Sequence, residues 1–307
     1  MKLSHIRDVL AVAECGSLRA AGRHLNIAQP AVTRSIHEIE RELGVSLFER
    51  HAKGVRPTAM GEAFLRRAKA IESELRRVQD EIEQLKGHSV GQVCIALSSA
   101  SLIALLPTAI TAFRKRYPDS LLKISEGLFQ TVEPEILNGQ IDFYVGPIDP
   151  SISSTRLMVE KLFDNRRVVT ARKGHPLTNA RSLKDLEGAS WVRPTVTPRS
   201  SEADFEVMFA ELGMKPPHIV AHVHSALSTL VTVASSDLLS ILPQQWLEFP
   251  ATAERLIGLQ LVEKMPAAPV CIVRRHDMPL TPMAEHLCDL MRRAGGHYVA
   301  RRRKLPA

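Results

Sequence analysis

No apolar run among these 307 residues approaches the roughly 18–20 needed to cross a bilayer. No low-complexity segment is present. Nothing at the N-terminus reads as a secretory leader. A helical pattern (Leu3, Ile6, Leu10, Ala13) starts at once and is interrupted by Asp8 and Glu14. A cytoplasmic protein with no membrane partner is expected. Cysteine is scarce: Cys15, Cys94, Cys271 and Cys288 lie far apart with no paired spacing. Cys94 and Cys271 sit within apolar runs, where a thiol acts as a small hydrophobe, so free thiols in a reducing compartment are expected. Enzyme signatures are missing too. There is no nucleophile elbow, phosphate loop, dinucleotide fingerprint or HExxH zinc helix. His222 and His224 stand two apart, but no third ligand accompanies them, so neither metal nor cofactor is expected. Glu133 and Glu135 read as helix-start residues favoured by the helix dipole, not as an acid–base pair. The chain is not expected to be an enzyme.

What is present is an ordinary globular composition, 45% apolar and 24% charged, long enough for about two domains. The net charge of +7 fits a polyanion partner. Much of the excess sits in Arg301-Arg302-Arg303-Lys304, better read as a solvated tail.

The most informative stretch is Leu18 to Thr58. Leu18, Ala21 and Leu25 give a short helix one apolar stripe, and Asn26 can turn the chain sharply before Ile27. A second helix starts near Gln29, with Pro30 in its first turn, where a missing N–H costs little. Val32, Ile36, Ile39 and Leu43 follow a 4-3-4 spacing on one face. The other face begins with Gln29, Ala31, Thr33, Arg34 and His37. Two short helices with a tight turn match the helix-turn-helix unit, and such a helix can lie in a DNA major groove and reach base edges. An ordinary polar surface helix is the competing reading. The basic loop after Leu43, with Arg50, Lys53 and Arg56 around Gly44 and Gly54, looks like a wing able to touch phosphates.

A long helix is predicted from Thr58 to about Lys86. Phe64, Ala68, Ile71, Leu75, Val78, Ile82 and Leu85 form a 4-3-4-3-4-3 heptad seam flanked by charge, which suits a coiled-coil dimer. After the hinge-like 87–91 the pattern changes to alternating strands and helices, arguing for βα units and a largely parallel sheet. Strands are expected at 93–97, 121–125, 141–145, 157–162, 168–171, 191–192, 219–222, 238–242 and 270–274. Helices are expected at 102–117, 132–137, 202–212, 226–234 and 283–293.

Residues 1–60 resemble the winged helix-turn-helix of LysR-type transcriptional regulators. The likeness is carried by Ala20-Ala21, Leu25, Gln29-Pro30-Ala31, Ile36, Leu43-Gly44, Leu47-Phe48, Arg50 and Thr58-x-x-Gly61. Farther on, Phe113-x-x-x-Tyr117-Pro118, Gly139-Gln140-Ile141-Asp142 and Gly174-His175-Pro176-Leu177 extend it. The tract Arg274-Arg275-His276-Asp277-x-Pro279-x-Thr281-Pro282 resembles the branch regulating aromatic-compound breakdown, notably toluenesulfonate regulators. One departure stands out: Ala28 occupies the position of a usual Ser that can cap the recognition helix.

The resemblance implies an α/β protein with an N-terminal all-α winged helix-turn-helix (1–60), a dimerising linker helix and hinge (61–90), and a two-lobed periplasmic-binding-protein-like effector domain (91–307). Lobe I would take about 91–163 and 268–300, and lobe II about 164–267. The implied partners are double-stranded operator DNA with two half-sites, a small anionic effector (aromatic in the toluenesulfonate-regulator branch), a homodimer or homotetramer, and RNA polymerase. Gln29, Pro30, Ala31, Thr33, Arg34 and His37 would face DNA, with Arg50, Lys53 and Arg56 in the wing.

Ligands in such lobes bind at the carboxyl ends of strands. Ser98-Ser99-Ala100-Ser101 offers hydroxyls and free N–H groups as an anion cradle, with Ser99 and Ser101 the candidates. Simple capping by one serine is the competing reading. Gln130, Thr131 and Pro147 lie where the cleft should be. In Pro194 to Ser201, Pro198, Arg199 and Ser200 are candidates. Arg199 can pair a carboxylate or sulfonate, against a plain surface-loop arginine. His224 and Ser225 are candidate hydrogen-bonding groups. The functional alternative is a two-lobed binding protein or enzyme with an accessory basic N-terminal domain.

Overall fold

The computed structural model describes residues 1–52, 54–149, 155–194, 202–265 and 267–303. Two compact units result: Met1–Lys86 with Leu137–Gln140, and Gly87–Ile136 with Ile141–Ala307.

The first unit runs α1 (Leu3–Cys15), α2 (Leu18–His24), α3 (Gln29–Leu43), β1 (Phe48–His51), β2 (Gly54–Pro57) and α4 (Ala59–Leu85). Gly16 ends α1 in the left-handed region and Ser17 caps α2, its Oγ accepting from Ala20 N–H at 3.1 Å. Val9, Val12, Ala21, Val32, Ile36, Ile39, Leu47, Leu65 and Ala68 form one core. Leu43, expected on the buried face, is 43% exposed because α3 outruns the core it packs on. The wing, expected as a loop, is a two-stranded antiparallel ribbon pairing Glu49 with Arg56 and Arg50 with Val55.

The seam of α4 divides. Phe64 and Ala68 join the core of their own unit. Ile71, Leu75, Val78, Ile82 and Leu85 are exposed, Leu85 by 74%.

The second unit begins with β3 (Gln92–Leu97), α5 (Ser99–Ala104), α6 (Leu106–Arg116), β4 (Leu121–Glu126), α7 (Phe129–Leu137), β5 (Phe143–Pro147) and β6 (Leu157–Phe163). It continues through β7 (Arg167–Arg172), β8 (Ser190–Pro194), α8 (Glu202–Glu211), β9 (His218–Val223), α9 (Ala226–Ala234), β10 (Ser240–Pro243), α10 (Pro250–Ala253) and β11 (Leu256–Gly258). It closes with β12 (Val270–Arg275) and α11 (Pro282–Arg303). One sheet has the order β4-β3-β5-β12-β6, so the chain leaves after β6 and returns with β12. A second set orders β10-β7-β11, and β8 pairs with β9. A parallel bridge from Trp191 to Leu239 joins these last two groups.

The sheets are mixed, not largely parallel. β3 is parallel to β4 and β5, but β12 runs antiparallel to β5 and β6, and β7 antiparallel to β10 and β11. The helix expected over 102–117 is two, because Pro107 opens α6 and cannot donate back across Leu105. The last helix passes Gly295 and Gly296 to reach Arg303, and Tyr298, 4% exposed, packs on Phe163 at 4.9 Å between ring centroids. That packing overrides glycine's poor helix propensity. Glu133 and Glu135 fall beyond the first turn of α7, which holds no acid, so their helix-start role is not realised.

Several resemblance motifs are structural. Asp142 accepts the amide of Cys94 at 2.7 Å. Buried His175 takes the Leu177 amide on Nδ1 at 3.0 Å, leaving Nε2 to donate to the Asp237 carbonyl at 3.1 Å.

Candidate nucleic-acid interface and effector cleft

The start of α3 presents its polar face outward by default, because the opposite side is locked into the core. Gln29, Pro30, Ala31, Arg34 and His37 are exposed, while Val32, Ser35, Ile36 and Ile39 are buried. The turn before it is tight. Ile27 N–H donates to the Gly22 carbonyl at 2.9 Å, and Asn26 takes φ 55. A Cβ on Gly22 would stand 3.0 Å from the Ile27 carbonyl oxygen, so glycine permits this approach. Thr33 donates its hydroxyl to the Gln29 carbonyl at 3.1 Å and keeps an acceptor lone pair outward. Among the described residues Arg34, Arg50 and Arg56 have no ion pair or side-chain hydrogen bond. Ala28 begins α3 with no side-chain cap.

The wing is held to this platform by backbone. Glu40, on α3, accepts the amides of Leu47 at 2.7 Å and Phe48 at 3.2 Å. Val55 N–H donates to the Gly16 carbonyl at 2.9 Å. A Cβ at Gly54 would lie 2.2 Å from that same oxygen. Because side chains alternate along a strand, Arg50 and Arg56 project from opposite faces of the ribbon. They cannot share one phosphate. Lys53 lies outside the described residues.

In the second unit, the parallel run of β3, β4 and β5 aligns their carboxyl ends on one edge. Ser99, Pro147 and, just beyond β4, Gln130 and Thr131 gather there. Ser98 performs the capping: its Oγ accepts from Ser101 N–H at 3.3 Å and pairs with Ser101 Oγ at 3.1 Å. Ser101 is fully buried, and α5 has only 6 residues, so its dipole is small. Ser99 is the outward hydroxyl, and Trp246 Nε1–H donates to it at 3.3 Å. Gln130 and Thr131 are exposed in the first turn of α7, and Thr131 donates to the Leu128 carbonyl at 2.7 Å. His224 is exposed just past β9, and Ser225 is spent capping α9, accepting Ser228 N–H at 3.1 Å. Pro198, Arg199 and Ser200 lie outside the described residues.

The family described as bacterial regulatory helix-turn-helix protein, lysR family, matches residues 3–62, and the LysR substrate binding domain matches residues 86–296. The chain belongs to the LysR family of transcriptional regulators. It is 26% identical to the HTH-type transcriptional regulator GbpR of Azospirillum brasilense over 100% of this chain and 90% of the relative. It is 30% identical to GbpR of Rhizobium radiobacter over 81% and 83% of the two chains. Among solved structures, full-length CbnR complexed with its target DNA aligns with TM-score 0.70 and 21% identity, covering 96% of this chain and 100% of CbnR. This LysR-family chain therefore carries a DNA-binding helix-turn-helix domain and an effector-binding domain, and it is a regulator, not an enzyme.

Three residues escaped sequence reasoning. Glu40 shows only as one more acid on a charged helix. Trp246 lies 147 residues from its partner Ser99. Tyr144 sits inside an apolar strand, where a tyrosine reads as core. The neighbouring Gly146 was its only signal.

Proposed function

We propose that this regulator binds as a dimer to an operator with two half-sites, α3 reading the major groove and the wing touching phosphates. A small anionic effector, aromatic by the likeness to toluenesulfonate regulators, sits at the aligned carboxyl ends of β3, β4 and β5. The observation that carries the DNA reading is the outward face of α3, with Gln29, Arg34 and His37 exposed and Arg34 unpaired among the described residues. The exposed seam from Ile71 to Leu85 supports the dimer. The CbnR structure with its target DNA supports a duplex partner. Tetramer assembly, contact with RNA polymerase and a cytoplasmic location complete the reading. An effector can shift the regulator only by its differential affinity for the two states.

Duplexes selected from a random pool by the wild-type chain serve as the operator. Arg34→Ala should weaken binding to them by about 1–3 kcal/mol and leave the unfolding temperature unchanged. Unchanged footprints would remove Arg34 from the interface.

A further inference from the structure

At the carboxyl ends of β3 and β5 two hydroxyls are oriented as donors. The oxygen of Ser99 already accepts from Trp246 Nε1–H at 3.3 Å. An indole N–H only donates, so the Ser99 proton is left to seek an acceptor. The second hydroxyl is Tyr144, fully buried on β5, and its proton meets no acceptor among the described residues. Its ring reaches along the strand over Gly146. A Cβ there would lie 2.0 Å from the phenol oxygen and 2.9 Å from Ser98 Cβ. Gly146 is thus the cutout that lets the phenol tip reach the strand ends beside Ser98. The Phe129 backbone N–H, opening the nine-residue helix α7, is directed at the same oxygen, where it engages a lone pair and leaves the proton without an acceptor. A buried phenol proton beside a helix N-terminus is a poor fit for a cation or a donor, and a good fit for an anionic oxygen.

We propose that Tyr144 is a specificity-determining residue of the effector site, donating its proton to a carboxylate or sulfonate oxygen that also takes the Ser99 proton. This rests on the effector reading above. Tyr144 is covered here, so admission of the effector requires the side chains packed over these strand ends to move aside, with Trp246 still donating to Ser99. The effector is recognised as an acceptor-only group. A neutral amide of the same skeleton, which brings two N–H donors, is excluded.

The test uses the full-length chain as wild type, Y144F and S99A. The probes are benzoate, benzenesulfonate, hexanoate and the neutral benzamide and hexanamide, read by thermal shift and calorimetry. Without probes, Y144F should unfold near the wild-type temperature, because the hydroxyl proton has no acceptor to lose. A drop of several degrees would show a structural hydroxyl and overturn the proposal. With probes, wild type should bind an acid at least ten-fold tighter than its amide, and Y144F should bind that acid at least ten-fold more weakly. If S99A loses the acid and Y144F does not, the cleft stands and Tyr144 is idle. Equal binding of acid and amide defeats the polarity argument. No response of wild type to any acid overturns the anionic-effector reading itself, and this proposal with it.

Discussion

The carboxylate of Glu40 receives the amide proton of Leu47 at 2.7 Å, fastening the recognition helix to the wing that follows it. Phe48 adds a second amide at 3.2 Å. Hydrogen bonds to a charged group are among the stronger ones. Glu40→Ala should therefore lower the stability of the N-terminal unit by about 2 kcal/mol. DNA affinity should fall with it, although Glu40 faces the protein. Glu40→Gln, which keeps one acceptor oxygen, should recover roughly half. Thermal unfolding and duplex binding on the same samples check this; equal stability of all three chains would show that the wing is held otherwise.

Gly61 and Gly296 both lie in helices, yet alanine should act on them in opposite directions. A Cβ at Gly61 would stand 2.0 Å from the Leu47 carbonyl oxygen, a rigid backbone atom. Leu47 is fixed there because its oxygen accepts Thr58 N–H at 2.9 Å. Gly61→Ala should cost about 2 kcal/mol or more despite alanine's better helix propensity. Nothing lies within 4 Å of a Cβ at Gly296, so Gly296→Ala should stabilise by about 0.5–1 kcal/mol. Chemical denaturation of the two variants separates the signs.

Ala28 leaves the first amides of α3 without a side-chain acceptor. Ala28→Ser should supply one and raise stability by about 1 kcal/mol. Because the cap precedes Gln29 and Pro30, tighter duplex binding should accompany it. A stabilised chain with unchanged affinity would mean that helix fraying does not limit recognition.

Burial pushes the Cys271 thiol up to about 11 and the Cys288 thiol up to about 12. In both, the folded state holds its proton where the unfolded chain, near the ordinary value of 9, has released it. The folded state then binds more protons, so stability falls as pH rises above 9 and through 11 to 12. Cys288→Ala should flatten that alkaline slope, apart from its cavity cost, which is independent of pH. Denaturation midpoints from pH 8 to 11 test it; parallel curves for the two chains would remove Cys288 as a contributor.

Much of the N-terminal unit was legible from spacing. The 4-3-4 stripe of α3 places Val32, Ile36 and Ile39 in the core, and Gly44 in the left-handed region closes the helix. The candidate site was less so. Ser99 and Ser101 stood as equal candidates, and only the fold ties Ser101 to the cap at the start of α5, since hydroxyl spacing cannot say which serine caps. The split at Leu105 turns on one proline, whose lost N–H outweighs an unbroken apolar pattern. The antiparallel β12 was invisible because strand direction depends on where the chain re-enters the sheet.

Helix and turn signals act over three or four residues, so periodicity, caps and glycine positions stand in the order of the amino acids. Seven apolar residues at heptad spacing likewise announce the seam of α4. Pairings across long separations have no such local trace. Trp246 meets Ser99 across 147 residues. The phenol tip of Tyr144 reaches past Gly146 only because no Cβ stands there. Such relationships arise when sheets and helices pack, because packing chooses which distant polar atoms become neighbours and which buried ones are left unpaired.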